Sequence, residues 1–228
     1  MPSSFLLRTK FLIPRRAGDT LPRPRLVSWL EDKSDCRLLL ISAPPGYGKT
    51  TLLADFLSAS SGPVAWYQLD AADSDPVVFL ACLIESLRHA RNAPASLTGS
   101  FGAASQALLE RAQDGVSHRQ VLTILLNELA DMLDVSVLLI LEDYHFIASP
   151  VIHQLLDFLL ENAPANLRVI ISTRVNPPLA MARLRAGGGL AELRAADLRF
   201  RDDEVRGWAV QNLPALPDES ADMLIQKT

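Results

Sequence analysis

The sequence predicts an α/β three-layer sandwich, a parallel sheet with helices on both faces. Three observations predict it: short, nearly continuous apolar runs of strand length, helical stripes between them, and a glycine-rich loop that follows the first run and opens a helix. Strands covered on both faces lose the apolar–polar alternation of a half-exposed sheet, and each parallel connection needs a crossover that a helix supplies. At 228 residues, 49% hydrophobic and 21% charged, the chain suits one domain, or one plus part of another, and excludes a disordered polyelectrolyte. A net charge of -4 gives no global attraction for nucleic acid or an anionic membrane.

Residues 1–25 read as an extended arm. Arg8, Lys10, Arg15, Arg16, Arg23 and Arg25 face a single acid, Asp19, and Pro2, Pro14, Pro22 and Pro24 discourage helix. On charge alone a solvated leader explains it equally well. A short helix begins over Leu26 to Leu30. Strand character follows at Arg37 to Ser42, Val64 to Leu69, Val137 to Leu141 and Leu167 to Ser172. Asp75-Pro76 caps a helix whose Leu80, Leu83, Ile84 and Leu87 share one face, and Val121 to Leu133 repeats that spacing. Ser149-Pro150 opens another over Ile152, Leu155, Leu156 and Leu159. Ala93 to Gly115 reads as a loop and a short helix, and Gly187 to Gly189 as a turn. Asp202 caps a helix through Val205, Trp208 and Ala209 that Pro214 and Pro217 stop. Asp218 caps a last one bearing Ala221, Leu224 and Ile225, whose stripe is cut off at Thr228, as in a truncated helical domain.

No apolar run approaches the ~20 residues of a membrane span, and the basic arm lacks the apolar stretch of a signal peptide. Cys36 and Cys82 form no metal knuckle, so a reducing cytoplasm is the expected location.

The chemistry starts at Ala43-Pro44-Pro45-Gly46-Tyr47-Gly48-Lys49-Thr50. Phosphate chains bind where successive N–H groups converge at a helix N-terminus, and glycine lets them approach. Pro44 and Pro45 have no N–H, so the donors run from Gly46 through Tyr47, Gly48, Lys49 and Thr50 to Thr51. Lys49 then reaches the outer phosphates and the Thr50 hydroxyl holds Mg²⁺. Ala43 stands where the strict P-loop pattern has glycine. An acid at the end of a neighbouring strand should complete the metal site, and Glu142-Asp143 follows the third run. One carboxylate serves the metal and the other orients water, in either order. If the fourth strand lies beside the loop's strand, Arg174 at its tip can fork onto the terminal phosphate. His89, His118, His145 and His153 show no metal spacing and read as surface or core residues. Asp70, Asp73 and Asp75 suit turns and caps, and Trp29, Trp66, Tyr67 and Trp208 suit packing.

In its ordered motifs the chain resembles the STAND class of P-loop signal-transduction ATPases, and within it the MalT-like activators of the LuxR superfamily. The resemblance rests on Thr9-Lys10-Phe11, Leu21 to Leu26, Ser42 to Thr51, Trp66 to Asp70, Asp73 to Phe79, Leu141 to His145, Ser172-Thr173-Arg174 and Leu198-Arg199-Phe200. It implies an arm at 1–25, a P-loop NTPase domain at 26–196 and the start of a helical domain at 197–228. It further implies an ADP-bound resting monomer, ATP-driven self-association, and DNA contact only through a C-terminal domain absent here. Arg23 and the leader backbone would flank the adenine, and Arg174 would sense the terminal phosphate. Glu142 replaces the family's usual aspartate, and Arg201 stands where a capping threonine is common, a role Asp202 is expected to take.

The function expected is an ATP/ADP- and Mg²⁺-binding switch with slow ATPase activity. A small-molecule phosphotransferase using the same loop is the alternative, and a module with purely structural nucleotide is a third.

Overall fold

A computed structural model describes residues 6–15, 20–111, 116–132 and 136–212. Its centre is a sheet of five parallel strands: β1 (Leu38–Ser42), β2 (Val64–Gln68), β3 (Val137–Glu142), β4 (Leu167–Thr173) and β5 (Leu190–Arg194), in the order β2-β3-β4-β1-β5. β4 thus lies directly beside β1, with Ser42 opposite Thr173, which meets the condition set for Arg174.

The alternation of strand side chains builds two layers. Leu39, Ile41, Trp66, Leu138, Ile140 and Ile170 pack under α1 (Pro24–Asp32) and α2 (Lys49–Ser58). Leu38, Leu40, Tyr67, Leu139, Leu141 and Ile171 pack under α3 (Pro76–Arg88), α6 (His118–Ala130) and α7 (Pro150–Asn162). Asp75 caps α3 through the N–H groups of Val77 and Val78, and Ser117 with Gln120 forms a capping box on α6.

Four strands fall where the apolar runs place them, but β5 carries no such run. It is an edge strand, burying Ala191 and Leu193 while Leu190, Glu192 and Arg194 stay half-exposed. Between Ala93 and Gly115 lie two helices, α4 (Ala95–Thr98) and α5 (Ala103–Glu110), with α5 packed along α6. The Gly187 to Gly189 turn follows α8 (Ala182–Ala186) and leads into β5.

The arm's contacts decide between the two readings of its charge. Arg8–Phe11 forms a 3₁₀ turn against β2. Phe11 is buried, with its ring stacked on His89 and tilted against Tyr67. Lys10 Nζ donates to both oxygens of the fully buried Asp73, at 2.8 and 2.7 Å, and meets Asp70 at 2.9 Å. The basic residue that suggested a solvated leader is therefore the arm's anchor. Pro24 starts α1 as its first residue, where a missing N–H costs nothing.

After β5 comes α9 (Asp202–Asn212). Asp202 is its first residue rather than its cap. Arg201 holds the cap position, and the Glu204 carboxylate accepts its N–H at 2.9 Å. The helix expected from Asp218 lies outside the described residues.

Candidate nucleotide site

β1 hands the chain to a loop whose Gly46 (φ +87°) and Gly48 (φ +69°) occupy the left-handed region, where a Cβ is disfavoured. The first helical bond of α2 runs from Leu52 N–H to the Gly48 carbonyl at 2.9 Å, so the N–H groups ahead of it carry no intrahelical partner. Gly46, Gly48, Lys49, Thr50 and Thr51 line a cavity of about 340 Å³ together with Pro45, Asp143 and Arg174. Lys49 is nearly buried and folds back, donating to the carbonyls of Ala43 at 2.8 Å and Pro44 at 3.1 Å. Burial pushes its pKa below the ordinary lysine value, against the pull of Glu142 and Asp143.

Strand parity decides which acid meets the loop. Leu138 and Ile140 face α2, so Glu142 does too, and the Thr50 hydroxyl donates to its Oε1. Ile170 shares that face, which brings Ser172 to the same layer. Glu142 Oε2 and Ser172 Oγ are both buried without a hydrogen-bond partner. Burial raises the Glu142 pKa, with the Thr50 bond and the neighbouring Ser172 hydroxyl opposing it, the latter close to the carboxylate but outside good hydrogen-bond geometry. A hydroxyl and a carboxylate with unused buried lone pairs form the hard oxygen donor set that Mg²⁺ takes, so the residues fit the metal.

Asp143 leaves the strand with φ +58° and turns into the cavity. Gln68 Nε2 donates to its Oδ2 at 2.8 Å, and His145 Nδ1 stands 3.6 Å from its Oδ1. Burial lowers the His145 pKa, with Asp143 opposing, and neither ring nitrogen has a hydrogen-bond partner. The exposed Arg174 guanidinium lies 5.9 Å from the Phe146 ring centre.

Arg23 sits behind the loop. Its guanidinium donates to Tyr47 O at 2.9 Å and Leu198 O at 2.7 Å and stacks 4.4 Å over Phe200. A Cβ built on Gly48 would stand 2.2 Å from Arg23 Nη2. Arg25 continues the clasp, reaching Glu204 at 3.3 Å and the carbonyls of Asp197 and Arg199. Arg23 and the half-buried Tyr47 therefore lie outside the cavity lining, whereas the other expected residues line it or, as Glu142, stand behind Thr50.

Gln68, Ser172 and His145 were not among the expected site residues. The signal for Gln68 and Ser172 is parity: each follows by two a residue of the α2-facing core. A larger cavity of about 460 Å³ lies near the amino edge of the sheet, among Arg37, Asp157, Met181 and Leu184, away from the glycine loop.

Residues 19–174 match the family model described as Nephrocystin 3, N-terminal. The HTH-type transcriptional regulator MalT of Klebsiella pneumoniae is 33% identical over 201 residues, covering 88% of this chain and 21% of the relative. The chain thus spans about a fifth of the length of that relative. Among solved structures, a Walker-type ATPase of Pyrococcus abyssi superposes with a TM-score of 0.52 at 16% identity, over 94% of this chain and 65% of the other. Cdc6p of Pyrobaculum aerophilum gives 0.51 at 16% identity, over 88% and 51%. These two likenesses establish the fold.

Proposed function

Because the chain belongs to the family described as Nephrocystin 3, N-terminal, and has MalT regulators among its relatives, we propose that it is the ATP/ADP-binding switch module of a transcription regulator. One observation carries the reading: left-handed glycines, Lys49 and Thr50 converge on the N-terminus of α2 opposite the buried Glu142.

The loop N–H groups bind the phosphate oxygens, and Lys49 exchanges the carbonyls of Ala43 and Pro44 for them. Thr50 and Glu142 would hold Mg²⁺, with Ser172 beside the second carboxylate oxygen. When bound, the metal neutralises charge on the phosphate oxygens. Asp143 keeps Oδ1 free to accept a proton from an attacking water, while Oδ2 is held by Gln68. Arg174, on the strand next to β1, distinguishes ATP from ADP. Slow hydrolysis suits a switch, which works only if its two conformations differ in affinity for the two nucleotides.

In this reading 1–25 is an arm supporting the site, 26–196 the nucleotide-binding domain and 197–228 the start of a helical domain. The protein acts in the cytoplasm and self-associates in its ATP state, with DNA contacted by other parts of the regulator. The Arg23 and Arg25 clasp on residues 197–204 supports the coupling of loop to helix.

A phosphotransferase would need a pocket for its acceptor and usually carries an arginine-rich lid over the phosphates. Arg183 and Arg185, the basic residues closest to that description, lie in α8, which leads into the start of β5 at the amino end of the strands, away from the glycine loop, and they pair with Glu161 and Glu192. Phosphate release from MgATP is the test. Slow release unaffected by added acceptors supports the switch, whereas release or transfer that requires an acceptor supports the phosphotransferase.

A further inference from the structure

We propose that Gln68 is a positioning residue for hydrolysis, holding the Asp143 carboxylate in the orientation from which it accepts the proton of the attacking water. The inference rests on the hydrolytic reading above and adds a residue and a role to it.

The backbone brings the two together. β2 and β3 run in register to their ends, with Gln68 opposite Glu142, and Leu69 N–H bonds the Glu142 carbonyl at 3.0 Å. At the next residue the chain leaves the strand, because Asp143 adopts the left-handed conformation, and Phe146 N–H closes the turn on the Asp143 carbonyl at 3.1 Å. A non-glycine residue in that region is held there by its surroundings. The turn ends the strand alternation and leaves Asp143 lining the cavity beside Thr50 and Arg174.

A carboxylate in this position has freedom about two side-chain torsions. Gln68 removes it. A carboxylate only accepts, so the amide must present its NH₂, as it does at 2.8 Å. The His145 nitrogen at 3.6 Å is beyond hydrogen-bond reach. Among the described residues, Gln68 therefore makes the one side-chain hydrogen bond to Asp143. With Oδ2 engaged, Oδ1 is left as the available base, and its direction is set by the amide. The Gln68 stem follows Trp66 on the rigid, buried β2, so the amide is supported by core packing rather than by a loop.

The test compares the wild-type chain with Gln68→Leu, which removes the donor at similar volume, and Gln68→Glu, which replaces it with a second acceptor. MgADP and MgATP affinities are measured by calorimetry and single-turnover hydrolysis by phosphate release. Both variants should bind nucleotide within about twofold of wild type and hydrolyse roughly tenfold to a hundredfold more slowly, the scale expected when a reacting group loses its alignment. Gln68→Asn, an amide on a shorter stem, should recover part of the rate. Equal rates in wild type and Gln68→Leu overturn the proposal, as does a faster rate, which would make Gln68 a restraint. A fall in affinity matching the fall in rate also overturns it, since that pattern is a structural one. If the wild type binds MgATP but releases no phosphate, the hydrolytic reading itself fails, and this outcome is separable because it requires no variant.

Discussion

Replacing Gly48 by alanine should strain the loop and eject Arg23, and the two costs can be separated. At φ +69° the new Cβ meets the left-handed penalty of about 1–2 kcal/mol. The same Cβ stands 2.2 Å from Arg23 Nη2, so the guanidinium must leave the Tyr47 carbonyl. A hydrogen bond from a charged donor is worth about 1.5–3 kcal/mol, partly offset as the guanidinium regains water. Gly48→Ala should therefore cost about 2–4 kcal/mol in urea unfolding. In an Arg23→Ala background nothing is left to eject, and the same substitution should cost only about 1–2 kcal/mol. The difference is a coupling energy read from a double-mutant cycle. If Gly48→Ala costs the same in both backgrounds, Arg23 does not pack on the loop, and the proposed route from the phosphate site to Leu198 and Phe200 is lost.

Lys10→Met should destabilise the chain by about 2–4 kcal/mol, because Asp73 is left buried without its cation, and adding Asp73→Asn should recover most of the loss. Burial works against the Lys10 charge, but its bonds to Asp73 and Asp70 prevail and raise its pKa. Asp70, likewise partly desolvated, is lowered by the same contact. The Lys10 contribution is thus full below the ordinary lysine pKa and lost as pH rises past the raised value. That of Asp70 is full above the ordinary aspartate value and lost as pH falls past the depressed one, so the gap between wild type and Lys10→Met should be widest between about pH 4 and 10. Glu142→Gln should abolish Mg²⁺-dependent hydrolysis yet raise Tm by about 2–4 °C, the shift that ~1 kcal/mol gives a domain of this size. Burial raises the Glu142 pKa, so the metal-free wild type should lose stability as pH climbs above the ordinary glutamate range, and the variant should lack that slope.

The sequence made legible what burial on two faces leaves behind. β1 to β4 are mostly apolar because both faces are covered, with polar residues gathered mainly at their carboxyl ends, whereas the five residues of β5 alternate at the sheet edge among Glu192 and Arg194 and make no apolar run. The loop was legible because its chemistry needs glycine, lysine and threonine in sequence. The arm was left between two readings because charge alone cannot tell a solvated lysine from one facing a buried aspartate 63 residues away. The order of Glu142 and Asp143 was open for a related reason: parity names the face of an acid only once it is known which layer carries α2. Gln68 and Ser172 lie within motifs that carry the resemblance, but their place in the site becomes visible only when β2, β3 and β4 are laid side by side.

The central claim is that the amides ahead of Leu52, with Lys49 and Thr50, grip a nucleotide's phosphates. Calorimetric titration of wild type and Lys49→Ala with MgADP and MgATP tests it most directly. Saturable binding of both nucleotides by the wild type, weakened at least about tenfold by the substitution, is the predicted result, since the ammonium's charge-assisted bonds to the phosphates are lost. Equal binding by the two proteins, or no binding by the wild type, would contradict it.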